Sequence, residues 1–492
     1  MHRLGLSVCV IGSALLMAAC GGGDSGDGGN PSGITSVSVT CAPSIVASGQ
    51  TSTCSATVSG TGPFSPAVTW SASAGSINAS GLFTAPPVSS ITPVTVTATS
   101  AQDNTRSGSA TVTVNPAATA HNVQPIVVDS GPLFLKTKEE KTRYLNGVFT
   151  SVKVCAPNTT NCQDIDHVLV DTGSVGLRLL SAAGGGEFSL SLPQQKAPDG
   201  NPLVECGQFA DGFVWGPVVL ADIYLSGEVA SSTPIQVIAP AKVPEVPRSC
   251  ASTGTNQNTL SRLRVNGILG VGLFLQDCGE VCSQQRVNLY YSCPSTGCVE
   301  TTIPTARQLQ NPVSRFANDN NGVIIQLPAI PAAGQATVSG SLVFGIGTQP
   351  NNGLEDGARV YATTAAGSFT VTYQGKSYAS SFIDSGSNGL YFLTAADTGL
   401  PACQGSSGLY CPTAERRFTA TNTGSNGASG KITFNIANAQ TLFDSRNTAF
   451  NNLGGTFNGA FNYGLPFFFG RNLYVAIENQ NTPEGVGPYW AY

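Results

Sequence analysis

One twelve-residue pattern occurs twice in this chain of 492 residues. Residues 169–180 read LVDTGSVGLRLL and residues 382–393 read FIDSGSNGLYFL, so that six of the twelve positions are identical. Each copy passes from an apolar run through an Asp-hydroxyl-Gly-Ser turn into a second apolar run, which is typical of two strands joined by a tight loop. The chain is therefore expected to contain the same strand-loop-strand unit twice, with Asp171 and Asp384 in equivalent positions.

The tripeptide Asp-Ser/Thr-Gly occurs three more times, at Asp24, Asp129 and Asp397. None of these has the same context: the first lies in a Gly-rich stretch, the second continues as Gly-Pro, and the third continues as Gly-Leu. A bare tripeptide of this kind is only a good turn sequence. All three are interpreted as turns.

The composition favours an all-β protein. The chain has 57 Gly and 30 Pro, and both disfavour long helices, because glycine loses backbone entropy and proline lacks an amide donor. Charged residues make up only 10% of the chain, against roughly a quarter in soluble domains. This argues against a coiled coil, a nucleic-acid-binding protein and a charge-rich disordered chain. The net charge of −5 is too small to steer a charged partner strongly.

An apolar-Gly element follows each copy of the repeated pattern. The run GILGVGL places Gly270 at 99 residues after Asp171, and the run PFFFGR places Gly470 at 86 residues after Asp384. The order of elements is therefore the same in both halves.

This paired plan resembles the pepsin-like aspartic peptidases, and the resemblance covers about residues 124–492. It implies a bilobal double β-barrel in which each lobe carries one apolar-Gly strand beside its Asp loop. The two lobes are then expected to bring their aspartates together across a cleft. Four further segments resemble the family's first strand, flap hairpin, start of the second lobe's sheet and final strand, in chain order: residues 144–149, 209–216, 341–345 and 472–477.

The resemblance implies that Asp171 and Asp384 form a catalytic dyad. Two carboxyl groups about 3 Å apart cannot both ionise cheaply, so the pair shares one proton. The ionised member can then take a proton from a water, while the protonated member donates to the carbonyl oxygen under attack, with no metal, cofactor or covalent intermediate. The supporting residues that the resemblance implies are Gly173 and Gly386 for the tight loops, Thr172 and Ser385 for a grip between the lobes, and Ser174 and Ser387 for the outer carboxylate oxygens.

The flap region departs from the family's usual pattern. The residue aligned with the customary flap Tyr is Phe209, which packs but cannot hydrogen-bond, whereas Trp215 later in the hairpin offers its indole N–H. Phe209, Gly212 and Trp215 are the predicted flap and cleft residues. Arg178 stands where many members have an aromatic residue, and a cation near the cleft is expected to alter acidity or substrate choice.

Histidine is too scarce to favour other hydrolase mechanisms. Outside the N-terminal signal only His121 and His167 remain, and a Ser-His-Asp or Cys-His enzyme needs one of them as its base. His167 is interpreted as an exposed strand residue or as an edge residue whose ring nitrogens have partners. The chain also lacks a Gly-x-Ser-x-Gly elbow, a phosphate-binding Gly-rich loop with Lys and a His-Glu-x-x-His zinc motif.

The N-terminus is typical of a bacterial lipoprotein. A basic start, an apolar run shorter than a membrane span and small residues before Cys20 describe a signal peptide over residues 1–19. The run LMAAC, which ends at Cys20, resembles a lipobox and implies anchoring by lipid chains. Gly21 after the lipidated Cys favours the outer membrane of the cell envelope. The alternative is an ordinary secreted protein with an unrelated Cys20.

Twelve cysteines remain once Cys9, in the signal, and Cys20 are set aside. An even number in an oxidising compartment predicts six disulfides. A zinc site at Cys278 and Cys282 is the competing interpretation of that pair, but no His lies nearby. Near neighbours favour the pairs Cys41–Cys54, Cys155–Cys162, Cys278–Cys282, Cys293–Cys298 and Cys403–Cys411, which leaves Cys206 with Cys250.

Two segments precede the region that carries the repeat. Residues 20–33 are Gly/Ser/Asp-rich and are interpreted as a flexible spacer. Residues 34–116 alternate β-branched and polar residues between turns, which predicts a β-sandwich. Residues 68–86 resemble bacterial immunoglobulin-like domains, so Trp70 is expected in the core. The remaining boundaries are a linker at 116–121 and a pepsin-like domain at 122–492, with an N-lobe over about 122–330 and a C-lobe over about 331–492.

The sequence thus predicts a membrane-anchored aspartic endopeptidase that hydrolyses peptide bonds with a water activated by Asp171 and Asp384. It is expected to be a monomer that acts on a peptide or protein and binds no nucleic acid. The first alternative is a catalytically weak or inactive pepsin-like module that binds a protein or glycan at the cell surface. The second is a purely structural surface lipoprotein. The charged cluster at 136–141 is either part of a removable pro-piece or a solvated linker face.

Overall fold

The computed structural model describes residues 33–88, 92–115, 121–405 and 408–492. The predicted signal peptide, Cys20 as the predicted lipidation site, all but the last residue of the predicted spacer and most of the predicted linker lie outside these residues. The chain divides into two compact units, Met1–Thr119 and Ala120–Tyr492. No helix in the described ranges has the length and apolar character needed to cross a membrane.

The described part of the first unit consists of two four-stranded sheets. The strands are β1 (Gly33–Ala42), β2 (Ile45–Ala47), β3 (Thr51–Thr61), β4 (Val68–Ala72), β5 (Ser76–Ile77), β6 (Leu82–Thr84), β7 (Thr92–Ser100) and β8 (Ser107–Asn115). The sheet orders are β1-β3-β6-β5 and β2-β8-β7-β4. Both sheets contribute to one core, in which Phe83 packs with Val94, Val96 and Val112. Trp70 is half-buried against this core, on β4.

The second unit is also built of strands, and its helices are short. Its first strands are β9 (Val123–Val128), β10 (Val148–Cys155), β11 (Cys162–Asp171), β12 (Val175–Leu180), β13 (Leu203–Phe209), β14 (Gly212–Leu225), β15 (Glu228–Ile238), β16 (Gly267–Val271), β17 (Tyr290–Ser292), β18 (Val299–Glu300), β19 (Gly322–Leu327) and β20 (Val338–Phe344). The rest are β21 (Val360–Ala362), β22 (Phe369–Tyr373), β23 (Lys376–Ile383), β24 (Leu390–Leu393), β25 (Arg416–Thr423), β26 (Ser429–Ile436), β27 (Gly454–Gly455), β28 (Phe457–Tyr463), β29 (Arg471–Ala476), β30 (Asn481–Thr482), β31 (Gly485–Val486) and β32 (Tyr489–Ala491). The α-helices are α1 (Gly131–Thr137), α2 (Arg248–Ala251), α3 (Leu260–Leu263), α4 (Glu280–Gln284), α5 (Ala395–Thr398) and α6 (Ala439–Asp444), and 3-10 turns cover Glu140–Thr142, Ala182–Gly184, Thr305–Arg307, Val313–Arg315 and Leu465–Phe467.

Two large sheets contain nearly all of these strands. The larger runs β18-β17-β13-β14-β15-β12-β16-β11-β10-β9-β20-β19-β29-β32-β21, and the smaller runs β26-β25-β22-β23-β28-β24-β27. The first Asp pattern lies in the larger sheet and the second in the smaller one. The all-β class is confirmed.

Both halves fold the repeated pattern in the same way. In the first half β16 lies between β11, to which it is parallel, and β12, to which it is antiparallel. In the second half β28 lies between β23, again parallel, and β24, again antiparallel. Each Asp loop is therefore closed by a strand that arrives from far along the chain.

The second closing strand is not the predicted one. Ile383 pairs with Tyr463 as Val170 pairs with Leu269, so the counterpart of Gly270 is Gly464, and the assignment of Gly470 is wrong. The run PFFFGR instead forms a 3-10 turn and a bend that leads into β29. Its three consecutive Phe residues imitate a strand in sequence, but Pro466 before them disfavours one.

A close approach of backbones explains the glycine at both positions. A Cβ on Gly270 would lie 2.6 Å from the amide nitrogen of Val175, and one on Gly464 would lie 2.2 Å from the carbonyl oxygen of Gly389. Either side chain would push the closing strand away from its Asp loop.

All six predicted disulfides are confirmed. The pair Cys206–Cys250 links β13 to α2 over 44 residues, and the other five close loops of 4 to 13 residues. Cys278 and Cys282 are bonded to each other, so they do not form the alternative zinc site.

Candidate active site

The first Asp loop begins where β11 ends. Asp171 is the last residue of that strand and is 6% exposed. Its Oδ1 accepts a hydrogen bond from the amide of Gly173 at 2.8 Å, and its Oδ2 accepts one from the hydroxyl of Ser174 at 2.5 Å. The carboxyl group is thus held in one orientation by its own loop.

The second Asp loop repeats this arrangement directly after β23. Asp384 Oδ1 accepts from the amide of Gly386 at 2.8 Å, and Oδ2 accepts from the hydroxyl of Ser387 at 2.6 Å. The side-chain amide of Asn462, on β28, donates in turn to the Ser387 hydroxyl at 2.8 Å. Sequence comparison of the two Asp patterns missed Asn462 because it belongs to the closing strand.

The two carboxyl groups lie side by side. A Cβ on Gly173 would come within 2.7 Å of the Asp384 carboxyl, and a Cβ on Gly386 would come within 2.6 Å of Asp171 Oδ1. Each carboxyl therefore covers the glycine of the other loop, which explains why both loops need glycine.

Proximity and burial change the acidity of the pair. Burial and the neighbouring Asp384 carboxyl raise the pKa of Asp171 to about 8, against the opposing hydrogen bonds from Ser174 and Gly173. A carboxyl with this pKa is protonated at neutral pH and can donate a hydrogen bond.

A cavity of about 1290 Å³ contains the dyad. Leu169, Leu263 and Ile268 supply apolar surface on one side, and Phe443 and Phe457 do so elsewhere on its wall. This combination of an apolar cleft and a few convergent polar groups is the usual character of a binding site.

The predicted flap hairpin is formed by β13 and β14, with Phe209 paired to Gly212 across the bend. Phe209, Ala210 and Asp211 line the cavity. Gly212 is buried and approaches the carbonyl oxygen of Thr255, where a Cβ would lie only 2.2 Å away.

The prediction that Trp215 faces the cleft is wrong. Its side chain is completely buried, its indole N–H donates to the carbonyl of Pro244 at 2.8 Å, and its ring packs edge-on against Tyr291. Alternation along β14 places it in the separate core around Cys206. The hairpin therefore offers no indole donor to a ligand in the cavity.

Arg178 also differs from the expectation. Its side chain is 5% exposed and forms ion pairs with Glu205 and Asp277. It lies outside the cavity wall, so it is not a free cation in the cleft. It contacts the cavity lining through Phe209, whose ring centroid lies 5.7 Å from the guanidinium carbon.

Six residues of the segment 139–145, all but Thr142, line the cavity, and the sequence did not assign them to the site. Arg264 donates to the carbonyls of Thr142 and Arg143, at 3.1 and 2.7 Å, and stacks over the ring of Tyr144. Arg143 donates to the carbonyl of Phe443, 300 residues further along the chain. The segment is thus attached to both halves of the second unit. The dense charge of the sequence 136–141 was the only signal for it.

The remaining candidates lie away from the dyad. His167 is buried between Asp129, at 3.1 Å, and Asp166, at 2.8 Å, so the expectation of an exposed residue is wrong, whereas that of a ring with satisfied partners holds. Asp129 also accepts from the amide of Gly131 in a turn, as expected. Asp397 forms a capping box with Thr394 at the start of α5. No group of His, Cys, Asp or Glu in the described ranges is arranged to hold a metal ion.

Comparison with known proteins identifies a family for this chain but assigns it no activity. No curated protein matches the chain. Among solved structures, the aspartic proteinase from Irpex lacteus is similar with a TM-score of 0.43 and 16% identity, over 75% of this chain and 96% of that one. Residues 118–492 match the family described as "Protein of unknown function (DUF3443)". The chain belongs to this family.

Proposed function

We propose that the second unit is an aspartic endopeptidase that uses Asp171 and Asp384 to activate a water. The observation that carries the proposal is the pair of adjoining carboxyls with matching hydrogen bonds from two equivalent loops. Such a pair supplies an acid and a base at one point without a metal or a covalent intermediate.

Each member of the pair has a distinct role in this mechanism. Asp171, with a pKa of about 8, carries the proton and donates it to the carbonyl oxygen of the scissile peptide bond. Asp384 accepts a proton from the water as the water attacks the carbonyl carbon. The resulting tetrahedral intermediate then collapses, and a proton from the dyad goes to the leaving nitrogen.

The cavity suits a peptide or protein substrate. Its volume of about 1290 Å³ exceeds the range of about 300–1,000 Å³ that is usual for small-molecule pockets. Apolar walls at Leu169, Leu263 and Ile268 favour apolar side chains next to the bond that is cut.

The cellular placement is part of the same proposal. The run LMAAC supports removal of residues 1–19 and lipidation of Cys20, and Gly21 supports the outer membrane. Six disulfides fit an oxidising cell-envelope compartment. The first unit then serves as an immunoglobulin-like spacer between the anchor and a monomeric peptidase.

Proteolysis of denatured protein substrates between about pH 3 and 8 tests the activity. We expect the mature chain to cut and to be inhibited by pepstatin, a transition-state mimic, and we expect Asp171→Asn and Asp384→Asn to lose at least about 1,000-fold in kcat/KM. Asp397→Asn is the matched control, since that carboxyl caps α5. Equal cleavage by wild type and both dyad variants would reject the proposal.

The second candidate function is a binding module without turnover. Phe209 at the flap bend favours it, because this ring can pack on a ligand but has no hydroxyl to donate. If the wild type cuts nothing, while a peptide or glycan raises its Tm and Asp171→Asn keeps that shift, the binding function replaces the peptidase.

A further inference from the structure

A buried cluster of charges lies beneath the flap hairpin. Arg178 donates through Nη2 to Glu205 Oε1 at 2.5 Å and to Asp277 Oδ2 at 3.2 Å, and through Nε to Glu205 Oε1 at 3.2 Å. Tyr290 donates its hydroxyl to Asp277 Oδ1 at 2.7 Å. The side chains of Arg178, Glu205 and Asp277 are 5%, 0% and 6% exposed. Groups buried this deeply must balance their charges internally.

The charges of one arginine and two carboxyl groups cancel if the two acids share one proton. Burial and the nearby Glu205 carboxyl raise the pKa of Asp277 well above its ordinary value. Glu205 Oε2 receives no hydrogen bond from an N–H group or hydroxyl of the described residues, and the raised pKa of Asp277 assigns the shared proton to that acid. The cluster is then neutral, with one guanidinium, one carboxylate and one carboxylic acid.

This cluster connects the first Asp loop to the flap. Arg178 lies on β12, which resumes the chain after that loop, and its Nη1 donates to the carbonyl of Val175 at 2.8 Å. Glu205 lies on β13, the first strand of the hairpin. The guanidinium passes under the same strand, since a Cβ on Gly207 would lie 3.0 Å from its Nε. It ends under the ring of Phe209, 5.7 Å from the centroid.

We propose that Arg178 is a positioning residue that holds the flap hairpin over the dyad, through its ion pair with Glu205 and its stacking under Phe209. The positioning role of Arg178 is independent of the proposed peptidase activity. Only the expected change in KM rests on that proposed function. A planar guanidinium can form both contacts at once, because its edge donates to carboxylates while its face meets an aromatic ring. In this arrangement Phe209 packs on the Arg178 guanidinium. The contact holds the flap ring in place although the residue has no hydroxyl.

The first test removes the cluster's charge without leaving a buried ion unpaired. The double variant Arg178→Met/Glu205→Gln is neutral as long as Asp277 keeps its proton, so it is expected to fold. Hydrogen exchange of the backbone amides of residues 207–213 is expected to speed up at least tenfold, whereas the amides of β15 keep their rates. Lys153→Met/Asp164→Asn removes an exposed ion pair 3.7 Å long on β10 and β11 and is the matched control. Flap exchange equal to that of the control would overturn the proposal.

The second test changes only the ring. Phe209→Leu leaves the ion pairs intact, and Phe209→Tyr keeps an aromatic face over the guanidinium. We expect faster flap exchange in the Leu variant and wild-type exchange in the Tyr variant, and equal exchange in the two would also overturn the proposal.

A peptidase assay measures the kinetic consequence. Arg178→Met/Glu205→Gln and Phe209→Leu are expected to raise KM by about tenfold, with a smaller effect on kcat. If the wild type cuts nothing, the proposed function fails, but the exchange measurements still decide the role of Arg178.

Discussion

The amide of Thr172 donates to the hydroxyl of Ser385 at 3.0 Å, and the amide of Ser385 donates to the hydroxyl of Thr172 at 2.9 Å. The Ser385 hydroxyl donates in turn to the carbonyl of Val170 at 2.7 Å. Thr172 and Ser385 are buried and lie 213 positions apart in the chain. The reciprocal bonds hold the two Asp loops at one fixed separation, and the dyad depends on that separation.

Removing one hydroxyl from this grip is expected to cost stability as well as activity. Ser385→Ala leaves the buried amide of Thr172 without an acceptor, which costs about 1–3 kcal/mol. Urea denaturation of the purified chain measures the loss. Ser377→Ala is the control, because the only hydrogen bond of that hydroxyl in the described ranges is an exposed one to Thr372. Equal stability of the two variants would show that the hydrogen bonds between Thr172 and Ser385 do not stabilise the fold.

The pH dependence of cleavage is expected to follow the proton on Asp171. Activity falls as pH rises past about 8, because Asp171 then loses the proton that it donates. The Ser174 hydroxyl stabilises the ionised form and lowers the pKa, so Ser174→Ala is expected to move this alkaline limb to higher pH. Profiles of kcat/KM between about pH 5 and 10 measure the limb. A limb that stays in place or moves to lower pH would show that another group controls it.

Stability is expected to depend on the same carboxyl with a definite sign. Asp171 has a pKa of about 8 in the folded chain and an ordinary value of 3.8, so the folded state binds the proton more tightly than the unfolded state. The contribution of Asp171 is therefore largest at low pH and falls as pH rises from about 4 to about 8. Asp171→Asn removes this dependence. Its Tm, relative to wild type, is expected to rise by several degrees between pH 4 and pH 8, and a constant difference would refute the assignment.

Two glycine substitutions test whether Gly464, after β28, or Gly470, in the run PFFFGR, closes the second Asp loop. Gly464→Ala places a Cβ 2.2 Å from the Gly389 carbonyl and 2.5 Å from the Ser387 carbonyl, so β28 and the second Asp loop must separate. Gly470→Ala introduces strain from its φ of 75°, but its nearest contact is the Cβ of Ala329 at 3.1 Å. We expect Gly464→Ala to abolish activity and lower Tm strongly, and Gly470→Ala to lower Tm by a few degrees with activity retained. The reverse order would restore the original assignment of Gly470.

Features that depend on local sequence were predictable. The strands on either side of each Asp are apolar runs that end at an Asp-Gly turn, and both occur where the pattern places them. Five of the six disulfides join near neighbours, so elimination sufficed for the sixth. The residues around the dyad were equally accessible to sequence, because each carboxyl is held by the glycine and serine that follow it.

Features that depend on distant partners were not predictable. A run of apolar residues with a glycine is common in a β protein, and only the register of β28 against Ile383 and Leu390 singles out Gly464. Trp215 and Phe209 lie in one hairpin, but the side chains of neighbouring elements decide that the indole is buried and that the phenyl ring lines the cavity.

The sequence by itself determined that the chain is all-β, that it carries one duplicated Asp loop, and that most of its cysteines have a near neighbour to pair with. Each of these follows from periodicity, turn chemistry or short spacing within one segment. Only the tertiary structure decided that the two carboxyls adjoin, that Arg178 is buried and paired with Glu205 and Asp277, and that the segment 139–145 borders the cavity. Those outcomes require groups up to 300 positions apart to meet in a buried environment, where charge and hydrogen bonds must balance.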